Sequence, residues 1–242
     1  MADTTTAPTS WIPLEANPEV MNKYSQRLGV SSAWSFTDVW GLDDDLLAFI
    51  PRPVRAVVLL FPITEKYEDF RRAEEAQIRE DGQVVSPHVF FVRQTIGNAC
   101  GTIGLLHALV NNAEELKLDD GPLKDIIAQT RNLSPDDRAS VLETSAALAR
   151  VHEESSQEGQ TAAPPRDSDV DLHFICFVQK EGRIYELDGR KPFPVDHGPT
   201  ATANGGTDGD ILTDAVRVIK QFTARDPDNL NFTVIAFAPT QT

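Results

Sequence analysis

Four side chains of this 242-residue sequence have types and spacing that could form one reaction centre: Cys100, His173, Asp188 and Gln94. A thiol attacks carbonyl carbon only when it is ionised, reachable and served by a base. Cys100 opens the apolar run CGTIGLLHAL, which predicts a buried helix. The first turn of a helix lowers a thiol's pKa through its free N–H groups and dipole. Gly97, Gly101 and Gly104 leave space for something to approach that turn. A helix packed tightly on a sheet, with Cys100 as a small filler, fits the same stretch, so the thiol alone does not decide.

The base must be one of five histidines. His107 shares the helix face of Cys100, but two turns of helix put it about 10 Å away. His88 and His152 fall in predicted loops without an acid at a fixed spacing. His197 follows Asp196, and neighbours in an extended chain point apart. His173 lies in DLHFICF, where it shares one strand face with Ile175 and Phe177. A hairpin turning at Lys180–Glu181–Gly182 places position 173 opposite about 188–189, and Asp188 is there. A strand-borne His beside an Asp supplies the second half of a Cys–His–Asp triad, although a structural His–Asp pair would look alike. Cys176 points to the opposite face and reads as core. The Gln94 side-chain amide could donate to an oxyanion beside Cys100, but a surface glutamine fits that spacing equally.

The elements that must position these groups are legible in outline. Asn17-Pro18 starts a helix that Gly29 stops. RAVVLLF (55–61) and VFFV (89–92) read as strands, with a charged helix over 66–80 between them. Residues 101–111 are helical. Ser134-Pro135-Asp136-Asp137 starts a helix running to about Val151. Residues 152–170 lose all hydrophobic periodicity and form a long loop, the kind that acts as a lid, a binding loop or a disordered tether. Residues 171–179 and 183–187 form the hairpin, 209–223 a helix and 232–238 a last strand. This mixture predicts an α+β fold in one domain spanning residues 1–242.

Asp and Glu number 37 against 22 Lys and Arg, a net charge of −15. That disfavours nucleic acid as a partner. It suits a basic partner, and it also keeps a protein soluble. No stretch is long and apolar enough for a membrane span, and the polar start lacks the layout of a secretory signal. Two cysteines make no disulfide framework, which points to a reducing, cytoplasmic setting. No cofactor or metal is expected, because no ligand set clusters in the sequence.

The segments VRQTIGNACGTIGLLHAL, DLHFICFV and YELDGRKPFPVDHG resemble the nucleophile, histidine and aspartate segments of the ubiquitin C-terminal hydrolases, a family of papain-like cysteine proteases. WIPLEANPEVMNKY and RPVRAVVLLFPITEKYE resemble its short single-domain members, so the likeness spans nearly the whole chain. It implies an antiparallel central sheet flanked by helices, with a knotted backbone. Cys100 would be the nucleophile, His173 the general base and then acid, and Asp188 its orienter. Gln94, with the Cys100 backbone N–H, would be the oxyanion donor. Ubiquitin would be the partner of a monomeric enzyme, its basic, glycine-ended tail lying against Pro13, Leu14, Glu15, Asn17, Gln160, Leu172 and Asp226. The 152–170 loop would cross the cleft and restrict substrates to small adducts or short peptide extensions. Alternatives are a ubiquitin-like substrate such as Nedd8, an acyltransferase using the same triad, and a non-catalytic ubiquitin-binding module.

Overall fold

The computed structural model describes residues 10–166, 168, 170–201 and 210–241. In chain order the elements are α1 (Pro18–Leu28), β1 (Trp34–Asp38), α2 (Asp44–Leu47), β2 (Ala56–Pro62), α3 (Glu65–Asp81), α4 (Cys100–Asn111) and α5 (Pro122–Thr130). They continue with α6 (Pro135–Glu143), α7 (Ala146–Ser156), β3 (Leu172–Lys180), β4 (Arg183–Leu187), β5 (Val195–Pro199), α8 (Leu212–Arg225) and β6 (Thr233–Pro239). The strands form one sheet in the order β1-β6-β2-β3-β4-β5. Every neighbouring pair is antiparallel, giving the α+β architecture expected.

Alternation along the central strands builds two cores. Ala56 and Val58 of β2 join Phe174, Cys176 and Val178 of β3 in one core, packed against α1, α4 and the α5–α7 helices. Val57, Leu59 and Phe61 join Ile175 and Phe177 in the other, beneath α8 and Tyr67 of α3. Burying each such side chain contributes on the order of 1.5–3 kcal/mol. A one-residue slip of β3 would exchange its two faces, so the register that sets His173 is held by hydrophobic burial on both sides.

Local signals act where expected at α1. The Asn17 side chain accepts from the Glu19 N–H, and Gly29, at φ 100°, donates back to Gln26 and Ser25 carbonyls. The β3–β4 hairpin turns through Glu181 and Gly182, at φ 50° and 72°, as a two-residue turn with two left-handed positions requires.

Three expectations are corrected, and two strands went unread. Residues 89–92 are buried but belong to no strand. Their backbone groups are taken by side chains: Phe90 N–H donates to Asn111 Oδ1 at 2.8 Å, Val92 N–H to His107 Nε2 at 3.1 Å, and Arg138 donates to the Phe91 carbonyl at 2.9 Å. The helix predicted from Ser134 to Val151 is two helices, because Ser145 caps a second start by accepting from the Leu148 N–H. That second helix runs on to Ser156, so the irregular loop begins at 157 and His152 is helical. The edge strands β1 and β5 were not legible, since each has a single buried residue and β5 carries Gly198 and Pro199.

Candidate active site

Cys100 is the first residue of α4, and no side chain caps that helix. The free N–H groups of the first turn therefore face the thiol's own neighbourhood, where they favour an anion. Burial by itself would push the thiol pKa up. Hydrogen bonding and charge from His173, with backbone groups of Phe174 and Gly101, outweigh it and pull the pKa below the usual thiol value. Gly101 lets Leu14 close over this turn, because a Cβ there would lie 2.9 Å from Leu14 Cβ and 3.3 Å from the Phe174 ring.

His173 is the second residue of β3, opposite Phe61 of β2. Its Nε2 lies 2.7 Å from Asp188 Oδ1, leaving Nδ1 for Cys100. The hairpin brings the pair together, but not by direct opposition. The ladder pairs Cys176 with Leu187 and ends there, so continuing it would set residue 190 against His173. The chain leaves the ladder after Leu187, and the buried Asp188 carboxylate reaches back. Oδ1 also accepts from the Arg190 N–H at 2.8 Å, and Oδ2 accepts from the Tyr67 hydroxyl at 2.9 Å.

Burial would lower the His173 pKa, but Asp188's charge and hydrogen bond, then Cys100, raise it to about 9. Burial would raise that of Asp188. His173, the Lys191 charge and the Arg190 N–H hold its carboxyl well below the usual range. The opposite shifts on Cys100 and His173 both favour a thiolate–imidazolium pair.

Gln94 is tied to the aspartate turn by its N–H, which donates to the Gly189 carbonyl at 2.8 Å. Gly189 is required there, since a Cβ would meet Gln94 Cβ at 2.9 Å and Ile103 Cγ2 at 3.0 Å. Gln94 Nε2 donates to the Ile96 carbonyl at 3.2 Å, which occupies one of its two hydrogens.

The other histidines have other duties. His107 is buried and accepts from Val92; burial first, against several opposing contacts, pushes it down to about 4. His152 bridges Thr102 Oγ1 at 2.8 Å and the Ile12 carbonyl at 2.7 Å. His88 is exposed, 3.7 Å from Glu181, and His197 lies 2.8 Å from Glu186 rather than on Asp196. Cys176 is fully buried, which pushes its thiol far up.

A cavity of about 310 Å³ opens beside Cys100, lined by Pro13, Leu14, Glu15, Leu60, Asn98, Leu172 and Phe174, with Thr161, Ala163, Pro164 and Val170 from the loop. Four of the expected tail contacts thus gather there: Pro13, Leu14, Glu15 and Leu172. Three do not. Asn17 is spent as the α1 cap and on Glu15. Gln160 lies outside the cavity lining, its N–H on Glu15 at 3.1 Å. Asp226 ends α8, pairs with Lys66 at 2.7 Å and lines a separate hollow with Phe61, Tyr67 and Phe222.

The loop is pinned at two points. The Glu15 carboxylate accepts from the N–H groups of Gln160 and Thr161 and from Thr161 Oγ1 at 2.6 Å. Desolvation opposes ionisation, yet these donors and Asn17 hold Glu15 down at about 2. The Arg166 carbonyl accepts from Ser10 Oγ and Asn98 Nδ2, each at 2.8 Å. Asn98 and Tyr67 escaped the sequence reading. A non-glycine at φ 58° leaves no mark in sequence, whereas a lone tyrosine three residues after the Thr64 cap was a usable signal. Among the described residues, no group of three His, Cys, Asp or Glu is placed to hold a metal ion, and no helix is long and apolar enough to cross a membrane.

A helix-borne thiol facing a strand-borne imidazole, with a carboxylate on the imidazole's far nitrogen, is the arrangement of a cysteine hydrolase. The family model for ubiquitin carboxyl-terminal hydrolase, family 1, matches residues 11–224. A ubiquitin carboxyl-terminal hydrolase of Drosophila melanogaster is 47% identical over 96% of this chain and 99% of its own. Isozyme L1 of Monodelphis domestica is 44% identical over 93% and 96%. The fold resembles the Trichinella spiralis UCH37 catalytic domain, solved bound to ubiquitin vinyl methyl ester, with TM-score 0.73, 22% identity, and 98% and 99% coverage. The chain belongs to the ubiquitin carboxyl-terminal hydrolase family 1, a family of cysteine proteases.

Proposed function

We propose that this enzyme releases small adducts and short peptide extensions from the C-terminal glycine of ubiquitin through a thioester on Cys100. The carrying observation is the paired Cys100 and His173, with Asp188 on the imidazole's other nitrogen. The thiolate attacks the glycine carbonyl carbon. Gln94 Nε2 and the Cys100 N–H donate to the oxyanion that forms. The His173 imidazolium gives its proton to the departing amine or thiol as the acyl–sulfur bond is left behind. The neutral imidazole then takes a proton from water, which attacks the thioester carbonyl. Collapse of that second intermediate releases ubiquitin's carboxylate and restores the thiolate.

Residues 1–242 act in this reading as one catalytic domain, monomeric, at work in the cytoplasm, where reducing conditions keep Cys100 free. The cavity's apolar walls of Leu14, Leu60, Leu172 and Phe174 suit a glycine-ended tail. Ubiquitin carrying a fluorogenic C-terminal amide is the test. Wild type and Cys176→Ala should turn it over, and Cys100→Ala should not; full activity in Cys100→Ala would refute the reading.

The loop pinned at Glu15 and Arg166 closes one side of the cavity, which supports a limit on leaving-group size. A Gly/Ser insert after Ala163 should admit bulkier leaving groups. Linked di-ubiquitin left uncleaved by that variant would show that loop length is not the gate.

A further inference from the structure

We propose that Tyr67 is a positioning residue for this hydrolysis: its hydroxyl anchors one oxygen of Asp188 so that the other stays aligned on His173. The inference rests on the triad reading above. The placement begins in sequence. Thr64 caps α3 by accepting from the Tyr67 N–H at 3.2 Å, which fixes the first turn and aims the ring inward. The ring meets Phe61 edge-on, centroids 4.6 Å apart, and Phe61 in turn meets the His173 ring edge-on at 5.9 Å. Its hydroxyl then donates to Asp188 Oδ2 at 2.9 Å.

Asp188 needs such an anchor. Its Oδ1 takes both His173 and the Arg190 N–H, and Tyr67 is the hydrogen-bond donor found on Oδ2. Without it the carboxylate could rotate about its Cβ–Cγ bond, and a buried oxygen would lack a partner. The charged and titratable surroundings come from every packed element. Cys100 and His107 face the His173–Asp188 pair from α4, Arg190 and Lys191 from the turn, and Glu186 from β4 and Arg225 from α8 face Tyr67. Burial, then the charges of Asp188 and Glu186, push the Tyr67 hydroxyl well above the usual tyrosine range, so it stays a neutral donor.

Tyr67→Phe keeps the ring and its packing and removes only the donor. In ubiquitin amide hydrolysis, kcat should fall about 10-fold with KM unchanged. The rate of Cys100 alkylation by iodoacetamide, followed against pH by mass spectrometry, reads the thiolate–imidazolium pair without any substrate. Its upper limb, set in wild type by His173 at about 9, should move down by about one unit as the carboxylate loosens. In an Asp188→Ala background Tyr67→Phe should change neither kcat nor the limb. An upper limb that stays in place or rises overturns the proposal, as does a further loss in the Asp188→Ala background. A lowered melting temperature with an unmoved limb marks a structural tyrosine and overturns it too. Wild type that alkylates normally but leaves ubiquitin amides intact would instead refute the parent reading.

Discussion

Asp188→Asn should lower kcat/KM roughly 10⁴-fold and leave the site's geometry nearly intact. Three donors converge on this carboxylate: His173 Nε2 and the Arg190 N–H on Oδ1, and the Tyr67 hydroxyl on Oδ2. Of these the Arg190 N–H can only donate, and it shares Oδ1 with His173, whereas the tyrosine hydroxyl on Oδ2 can reverse and accept. An asparagine will therefore turn its oxygen to His173 and Arg190 and its amide to Tyr67. The hydrogen bonds survive, and the charge does not. That charge is the foremost influence raising His173 to about 9 against the pull of burial. The imidazole should fall back below its ordinary 6.5, and the thiolate with it. The upper limb of the pH–rate profile reports this shift, and a limb still near 9 would refute it.

The stability of the variant follows with a definite sign. His173 is raised on folding, so its ion pairing favours the native state fully below pH about 6.5 and that support fades as pH rises through about 9. Asp188→Asn lacks this support. Its deficit in denaturant unfolding should be largest between pH about 3.8, below which the unfolded wild-type carboxyl takes a proton, and about 6.5, and should shrink as pH rises through about 9.

Lys191→Met should cost roughly 3–5 kcal/mol of folding stability at pH 7, out of a total of about 5–15 for a typical domain. Lys191 is 1% exposed, and its ammonium lies 2.5 Å from Glu186 and 2.6 Å from Glu74. Glu186 is fully buried, and its second oxygen meets His197 at 2.8 Å. Methionine fills the stem's volume but leaves Glu186 without its ammonium. Burial would raise the Glu186 pKa; the Lys191 charge, then His197, hold it at about 2. Wild-type Glu186 thus favours folding above its unfolded value near 4.5 and loses that support as pH falls toward 2. In the variant Glu186 regains an elevated pKa and takes a proton on mild acidification. The deficit should shrink between pH 7 and about pH 5. A deficit that is constant over that range, or below about 1 kcal/mol, would show that the buried cluster does not depend on its lysine.

Much of the site was readable because its parts sit where local signals are strong. Cys100 begins an unbroken apolar helix, and His173 lies on a strand whose two-sided burial leaves one polar residue to explain. The Lys180–Gly182 turn fixed the hairpin, and with it the neighbourhood of Asp188. The register failed by one or two residues because Asp188 lies beyond the ladder, where pairing no longer dictates position. VFFV was misread as a strand since its burial is strand-like while its hydrogen-bond partners are side chains 15 to 47 residues away in the chain. The Ser134 helix was read as too long because Ser145 sits inside a stretch with helical periodicity. Nothing local marks Lys191 and Glu186 as buried, and only the fold brings them together inside. That Asp226 lines a different hollow from Leu14 and Leu172 was not legible, because it depends on how α8 ends, which no spacing encodes.

The segment that delivers Gln94 to the nucleophile is supported by Asn111, His107 and Arg138 rather than by a neighbouring strand. A β-ladder can be altered only in register, many bonds at once. A span hung from individual side chains can be retuned one residue at a time. The reach of Gln94, the proposed oxyanion donor, would thus be adjustable from three positions outside the cavity lining, so shifts in catalytic efficiency would enter from the C-terminal half of α4 and from α6.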